Sequence, residues 1–134
     1  VRIKSLHFRL HKQSFDSSLF RLHIREIVDN MPLNELLDKN ILIPVTKESG
    51  WIDIDLSNYN LVFSGDIALS LEWIKVVGIH QDRFIKMNDS KQASPNVLFK
   101  VKRKQGCIYH RWGTESKWVR DDSHSPTFYL TIQE

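Results

Sequence analysis

Apolar and polar residues alternate along most of this chain with the period of two that marks half-buried β-strands. Leu6, Phe8 and Leu10 alternate with His7 and Arg9, and Phe20, Leu22 and Ile24 alternate with Arg21, His23 and Arg25. Both segments, Ile3 to Leu10 and Leu19 to Val28, are expected to carry a wet, basic face, with His7 and His23 as possible cross-strand neighbours on it. Ile3 and Leu6 cannot share a face at this period, so a bulge or bend is expected near Ser5. In the run from Gly50 to Asn60, Ile52, Ile54 and Leu56 fall on one face while Asp53 and Asp55 point away. From Ile67 to Val77 the inward series is Ile67, Leu69, Leu71 and Trp73. Further strands are expected at 41–45, 97–102, 107–112, 118–120 and 127–133, the last with Phe128, Leu130 and Ile132 inward.

Turn residues punctuate these runs. Ser49-Gly50, Ser57-Asn58 and Ser64-Gly65-Asp66 bracket the central strands, and Asn30-Met31-Pro32 breaks the second one. The spacing of Leu33, Leu36 and Leu37 predicts a short helical turn. Residues 80–96 are poor in apolar side chains and read as a long excursion with short pairing around Phe84 and Ile85. The count reaches eight or nine strands, without internal repeat or linker. The expected fold is an all-β, antiparallel β-sandwich of jelly-roll type filling 1–134 as one domain.

Length supports that reading, since 134 residues bury about two thirds of the extended-chain surface without staples. No apolar run approaches the roughly 20 residues of a membrane-spanning helix. The chain begins with Val1 and shows no signal-peptide pattern, which implies a mature product or part of a longer protein. One cysteine, Cys107, excludes an internal disulfide and a cysteine-based zinc site, and in its strand pattern it reads as a small buried hydrophobe.

Charge adds a polarity along the chain. Between Asp29 and Glu72 there are eight acidic residues and two lysines, whereas Asp82 to Lys104 holds seven basic residues and two aspartates. An anion or nucleic-acid binder through Lys100, Lys102, Arg103 and Lys104 is one alternative. The competing account makes these lysines the solvent side of a strand whose inward residues are Phe99 and Val101, and nucleic acid is not the expected partner.

No motif announces a reaction. Asp53, Asp55 and Glu72 are the carboxylates available to a glycoside- or ester-hydrolase-like enzyme, yet Asp53 and Asp55 sit on one strand face instead of flanking a cleft. Adding Asp66 does not produce calcium-loop spacing. The six histidines are scattered, and the serine, histidine and aspartate present lack a nucleophile elbow. No enzyme, catalytic residue, metal or cofactor is therefore expected. Among the aromatics, Trp73 reads as core and Trp51 as an edge cover. Trp112 and Trp118 flank a polar loop and, with Tyr109 and Arg111, are the residues chosen for ligand contact, against the alternative that they cap a core.

The chain also resembles a β-sandwich module of Bacteroidetes envelope and surface proteins, associated with carboxypeptidase-regulatory-like domains. The resemblance rests on Phe15-Asp16-Ser17-Ser18-Leu19-Phe20-Arg21-Leu22, Pro32 with Leu36-Leu37, Gly50-Trp51 through Asp55-Leu56-Ser57 to Tyr59-Asn60, and Glu72-Trp73-Ile74. Tyr109-His110-Arg111 and Ser116-Lys117-Trp118 approximate its closing pattern. It implies a non-catalytic binding or structural accessory domain, periplasmic, outer-membrane-associated or extracellular, with a glycan or protein partner. It implies no peptidase activity. Oligomeric state is not legible in the sequence.

Overall fold

A computed structural model describes residues 1–86, 92–103, 108–111, 116–122 and 124–134. Two strands form its axis, β1 (Arg2–Gln13) and β2 (Phe15–Val28), which follow one another through Ser14 yet belong to different sheets. In the first sheet β1 is flanked on one side by β13 (Phe128–Gln133) and β8 (Val97–Phe99) and on the other by β5 (Gly50–Asp55) and β6 (Leu61–Val62). In the second, β2 pairs with β7 (Ile67–Ile79) along one edge and with β3 (Met31–Glu35) and β4 (Ile41–Val45) along the other. All pairings are antiparallel and the sheets do not close into a barrel, so the chain is a β-sandwich. The remaining described strands form two small ladders, β9 (Val101–Arg103) with β12 (His124–Pro126) and β10 (Ile108–His110) with β11 (Val119–Asp121). The described residues thus hold 13 strands. The excess over eight or nine comes from β3, where the spacing predicts a helical turn, from the short β6 and β12, and from the division of 97–102 into β8 and β9.

The inward residues of the facing strands make the core. Ile3, Leu6, Phe8 and Leu10 from β1 meet Phe20, Leu22 and Ile24 from β2, with Ile41, Ile43, Val45 and Ile52 alongside, all buried. Each such side chain contributes about 1.5–3 kcal/mol by leaving water. Phe99 packs edge-on against Phe8, Phe20 and Phe128, so β8 stitches the two layers together.

Where the chain crosses between sheets, polar groups are buried and fully used. Gln13 donates through Nε2 to the carbonyls of Val45 (3.1 Å) and Lys47 (2.5 Å) and accepts from the Ser18 hydroxyl (2.7 Å). The Ser14 hydroxyl donates to the Arg83 carbonyl at 2.8 Å and accepts from the Asn96 amide at 3.0 Å. These bonds replace water at a corner that must be dry for both sheets to meet.

Several expectations are met and three are corrected. A register shift between Ile3 and Ser5 supplies the bulge that the phase slip requires, and Ile85 bridges Ser94 as the excursion predicts. The Leu33–Leu37 region is not helical. Asp29 and Asn30, both at positive φ (51° and 62°), turn the chain tightly between the paired Val28 and Met31, and Met31–Glu35 runs back along β2 as β3. Two consecutive positive-φ residues match the right-handed twist of a hairpin, and Asp and Asn tolerate them. Trp73 keeps inward parity opposite Phe20 and its ring lies 5.8 Å from that of Phe15, but it is 47% exposed. The register shifts after it, because Leu19 and Phe20 face Lys75 and Trp73, which leaves Ile74 as the extra residue. Finally, His7 and His23 are not neighbours. Since β1 and β2 lie in different sheets, the two histidines occupy opposite outer faces of the sandwich.

Candidate functional site

The outward residues of β2 between Phe20, Leu22 and Ile24 are Arg21, His23 and Arg25, and the neighbouring strands bring two carboxylates to them. Glu35 ends β3 and Glu72 lies on β7 opposite Arg21. His23 Nδ1 is 2.6 Å from Glu35 Oε2, and Nε2 is 2.6 Å from Glu72 Oε2. A ring donating through one nitrogen serves one carboxylate, whereas the imidazolium serves both. Arg25 adds an ion pair to Glu35 (3.5 Å) and a hydrogen bond to the Ser70 hydroxyl (3.0 Å), and Arg21 donates to Asn40 Oδ1 (2.8 Å) while facing Glu72 at 3.6 Å. Glu35 also accepts the Ile24 amide at 3.0 Å and the Leu37 amide at 3.3 Å, which fixes the chain as it leaves β3.

The electrostatics follow from this packing. The hydrogen bond from His23 holds the Glu72 carboxyl below its ordinary value, against partial burial, and the charges of His23, Arg21 and Arg25 add to the effect. Desolvation lowers Arg25, opposed by Glu35 and reinforced by Arg111. Arg21, His23, Arg25, Glu35, Lys39 and Asn40 line a shallow concavity of about 450 Å³ on this face.

The β10–β11 ladder places the expected ligand residues at the same face. His110 pairs with Val119, so Arg111 and Trp118 stand immediately beyond the last rung and meet. The Arg111 guanidinium lies 4.3 Å from the Trp118 ring centre, and Arg25 lies 5.5 Å from it. Trp118 thus has two cations resting on its ring. The Tyr109 hydroxyl donates to the Asn30 carbonyl at 2.6 Å, tying the ladder to the β2–β3 turn. Trp112, Lys104 and Cys107 lie outside the described residues. Of the basic stretch, Lys100 is exposed.

The carboxylates singled out in the sequence do not converge. Asp53 and Asp55 are exposed on the outer face of the first sheet, on β5, whereas Glu72 lies on the outer face of the second. Asp55 is held below the usual aspartate range by the side-chain and backbone hydrogen bonds of Ser57. No group of three His, Cys, Asp or Glu fit to hold a metal occurs among the described residues. From the sequence, His23 and Arg25 read only as part of the basic outer face of β2, and Glu35 is not singled out. Glu35 was hidden by the helical reading of Leu33–Leu37, and an Asp29-Asn30 hairpin turn would have returned it to the side of β2.

No protein-family model, curated protein or solved structure matches the chain.

Proposed function

We propose that this chain is a binding module of a bacterial cell-envelope protein, acting outside the cytoplasm, and that it takes a glycan on the outer face of its second sheet. The observation that carries this reading is the charge-balanced concavity around His23. Arg21, His23, Arg25 and Lys39 share its lining with Glu35 and Asp38, and Glu72 pairs with His23 beside it, so both signs of charge meet there. An anion would meet Glu35 and Asp38, whereas a neutral, hydroxyl-rich ligand finds donors and acceptors together, as sugars require. Trp118 lies next to this lining, its ring 5.5 Å from the Arg25 guanidinium, and offers an apolar surface beside the polar groups. The envelope setting is supported by the resemblance carried by Gly50 to Asn60 and Glu72 to Ile74.

A protein partner is the second reading, favoured by a different feature. Trp73, Ile74, Val77 and Ile79 expose 37–61% of their surface along β7. Among the described residues β7 pairs with β2 alone, and no described helix is long and apolar enough to cross a membrane.

A glycan array probed with the wild type and with an Arg21→Ala/Asn40→Ala variant, each shown folded by circular dichroism, tests the proposal. Binding lost in the variant supports it. Absence of binding by the folded wild type overturns it in favour of a protein partner.

A further inference from the structure

The opposite outer face, that of the first sheet, carries an arrangement that the sequence did not reveal. The bulge between Ile3 and Ser5 resets the phase of β1 so that Ser5 and His7 both point outward. Their strand partners put Asp53 opposite His7 on one side and Tyr129 opposite it on the other, while Ser5 faces Thr131. The Ser5 hydroxyl lies 2.8 Å from His7 Nε2, and His7 Nδ1 lies 2.6 Å from Asp53 Oδ1. An ionised aspartate accepts only, so in the neutral imidazole Nδ1 carries the proton and Nε2 presents its lone pair to the Ser5 hydroxyl, with the Thr131 hydroxyl at 3.1 Å. Tyr129 stacks on the imidazole at 4.3 Å with an interplanar angle of 11°, which fixes the ring plane. The His7 side chain is 15% exposed, so its orientation is set by protein contacts.

We propose that Ser5, His7 and Asp53 form a nucleophilic relay that cleaves carboxylic esters at the surface of the first sheet. The geometry is that of a nucleophile bonded to a base which a carboxylate orients, and such relays are recognised by geometry and not by sequence order. This activity is independent of the glycan reading, since it resides on the other sheet. It also departs from the expectation that no residue is catalytic.

The steps balance with water as the only co-reactant. Ser5 Oγ attacks the ester carbonyl as its proton passes to His7 Nε2, and Asp53 stabilises the imidazolium. The carbon–oxygen bond to the alcohol breaks, and the imidazolium proton goes to the leaving alkoxide. Water, deprotonated by the same nitrogen, then attacks acyl-Ser5, releasing the acid and restoring the hydroxyl. Lys4 is the bulged residue beside Ser5, and its charge acts on Asp55 across the strand from Ser5. Tyr129 is 52% exposed, and Trp51 meets its edge at 5.5 Å. The ester class that suits this surface carries a flat aryl group or a short acyl chain able to lie on these rings. Asp53, 61% exposed, acts through His7 as a positioning residue.

The test treats the folded protein with a fluorophosphonate probe and, separately, with p-nitrophenyl acetate, and locates the label by peptide mass spectrometry. The expected label is on Ser5, with Ser5→Ala unlabelled and His7→Gln slowed by about 100-fold or more. Asp53→Asn is expected to slow labelling about tenfold without changing the melting temperature, and Asp53→Glu to recover part of the rate, which a purely structural role does not predict. Thr131→Val serves as the control, because Thr131 Oγ1 also approaches Nε2, at 3.1 Å. Absence of label on the folded wild type, a label on Thr131, or labelling of Ser5 indifferent to His7→Gln overturns the proposal.

Discussion

His23 on β2 and Glu72 on β7 meet at 2.6 Å across the outer face of the second sheet, and the same imidazole reaches Glu35 on β3. One side chain therefore ties the central strand to both of its flanks. Because Glu72 is held below the usual 4.5 of a glutamate, its ionised form is favoured in the folded state. The resulting stability is complete above the ordinary value and disappears as pH falls through the lowered one. Glu72→Gln is expected to lower stability at pH 7 by about 0.5 kcal/mol after allowance for solvent screening. Urea melts of both proteins at a series of pH values should converge as the pH drops well below the ordinary glutamate range.

Gly78, on the same strand, has φ +71° and stands against Asp16, such that a Cβ would fall 2.0 Å from Asp16 Oδ2. The Asp16 side chain, hydrogen-bonded to His80, is exposed enough to swing away, so the backbone conformation is the larger obstacle. Gly78→Ala should cost about 1–2 kcal/mol from the left-handed conformation alone. Adding Asp16→Ala relieves the contact but not that cost. Thermal melts of the single and double variants separate the two contributions.

Gln13 is the buried polar centre of the crossover between sheets. Replacing it with leucine leaves the Val45 and Lys47 carbonyls without its amide and the Ser18 hydroxyl without its acceptor. The expected loss is about 2–3 kcal/mol, set by unsatisfied buried groups more than by lost volume. Gln13→Leu/Ser18→Ala should be less damaging than the single variant, as a denaturant titration would show, since it removes one orphaned group.

The Asp29-Asn30 turn offers a test of the hairpin that places Glu35. With φ of 62° at Asn30, a β-branched residue is strained, and Asn30→Val should destabilise by about 1–2 kcal/mol. Asn30→Gly adopts this φ freely and should leave the melting temperature nearly unchanged.

Much of the architecture was legible because a half-buried sheet forces alternation. Leu6, Phe8 and Leu10, Phe20, Leu22 and Ile24, and Ile52 all face the core as their parity requires. Even the bulge ahead of Ser5 showed as a slip in phase. Period-two patterning states which face a residue occupies but not which strand lies beside it. That is why His7 and His23 were paired in expectation yet stand on opposite faces, and why Ser5, His7 and Asp53, separated by 46 positions between the last two, gave no signal. Trp73 satisfied its parity near the shifted register of β7 and stayed half-exposed, because parity does not say whether the opposite sheet reaches that far. Trp118 and Arg111 were chosen as aromatic and cation for ligand contact. Their meeting depends on the β10–β11 rung between His110 and Val119: both strands show in the pattern, but not that they pair with each other.

The most direct test of the binding account is a nuclear magnetic resonance titration of the isotope-labelled protein with neutral oligosaccharides, a glucan, a mannan and a xylan fragment in turn. The account predicts saturable shifts in the amides of Arg21, His23, Arg25, Glu35 and Asn40 and in the Trp118 indole, with the first sheet unmoved. Shifts confined to Trp51 and Tyr129, or none with any of these sugars, would contradict it.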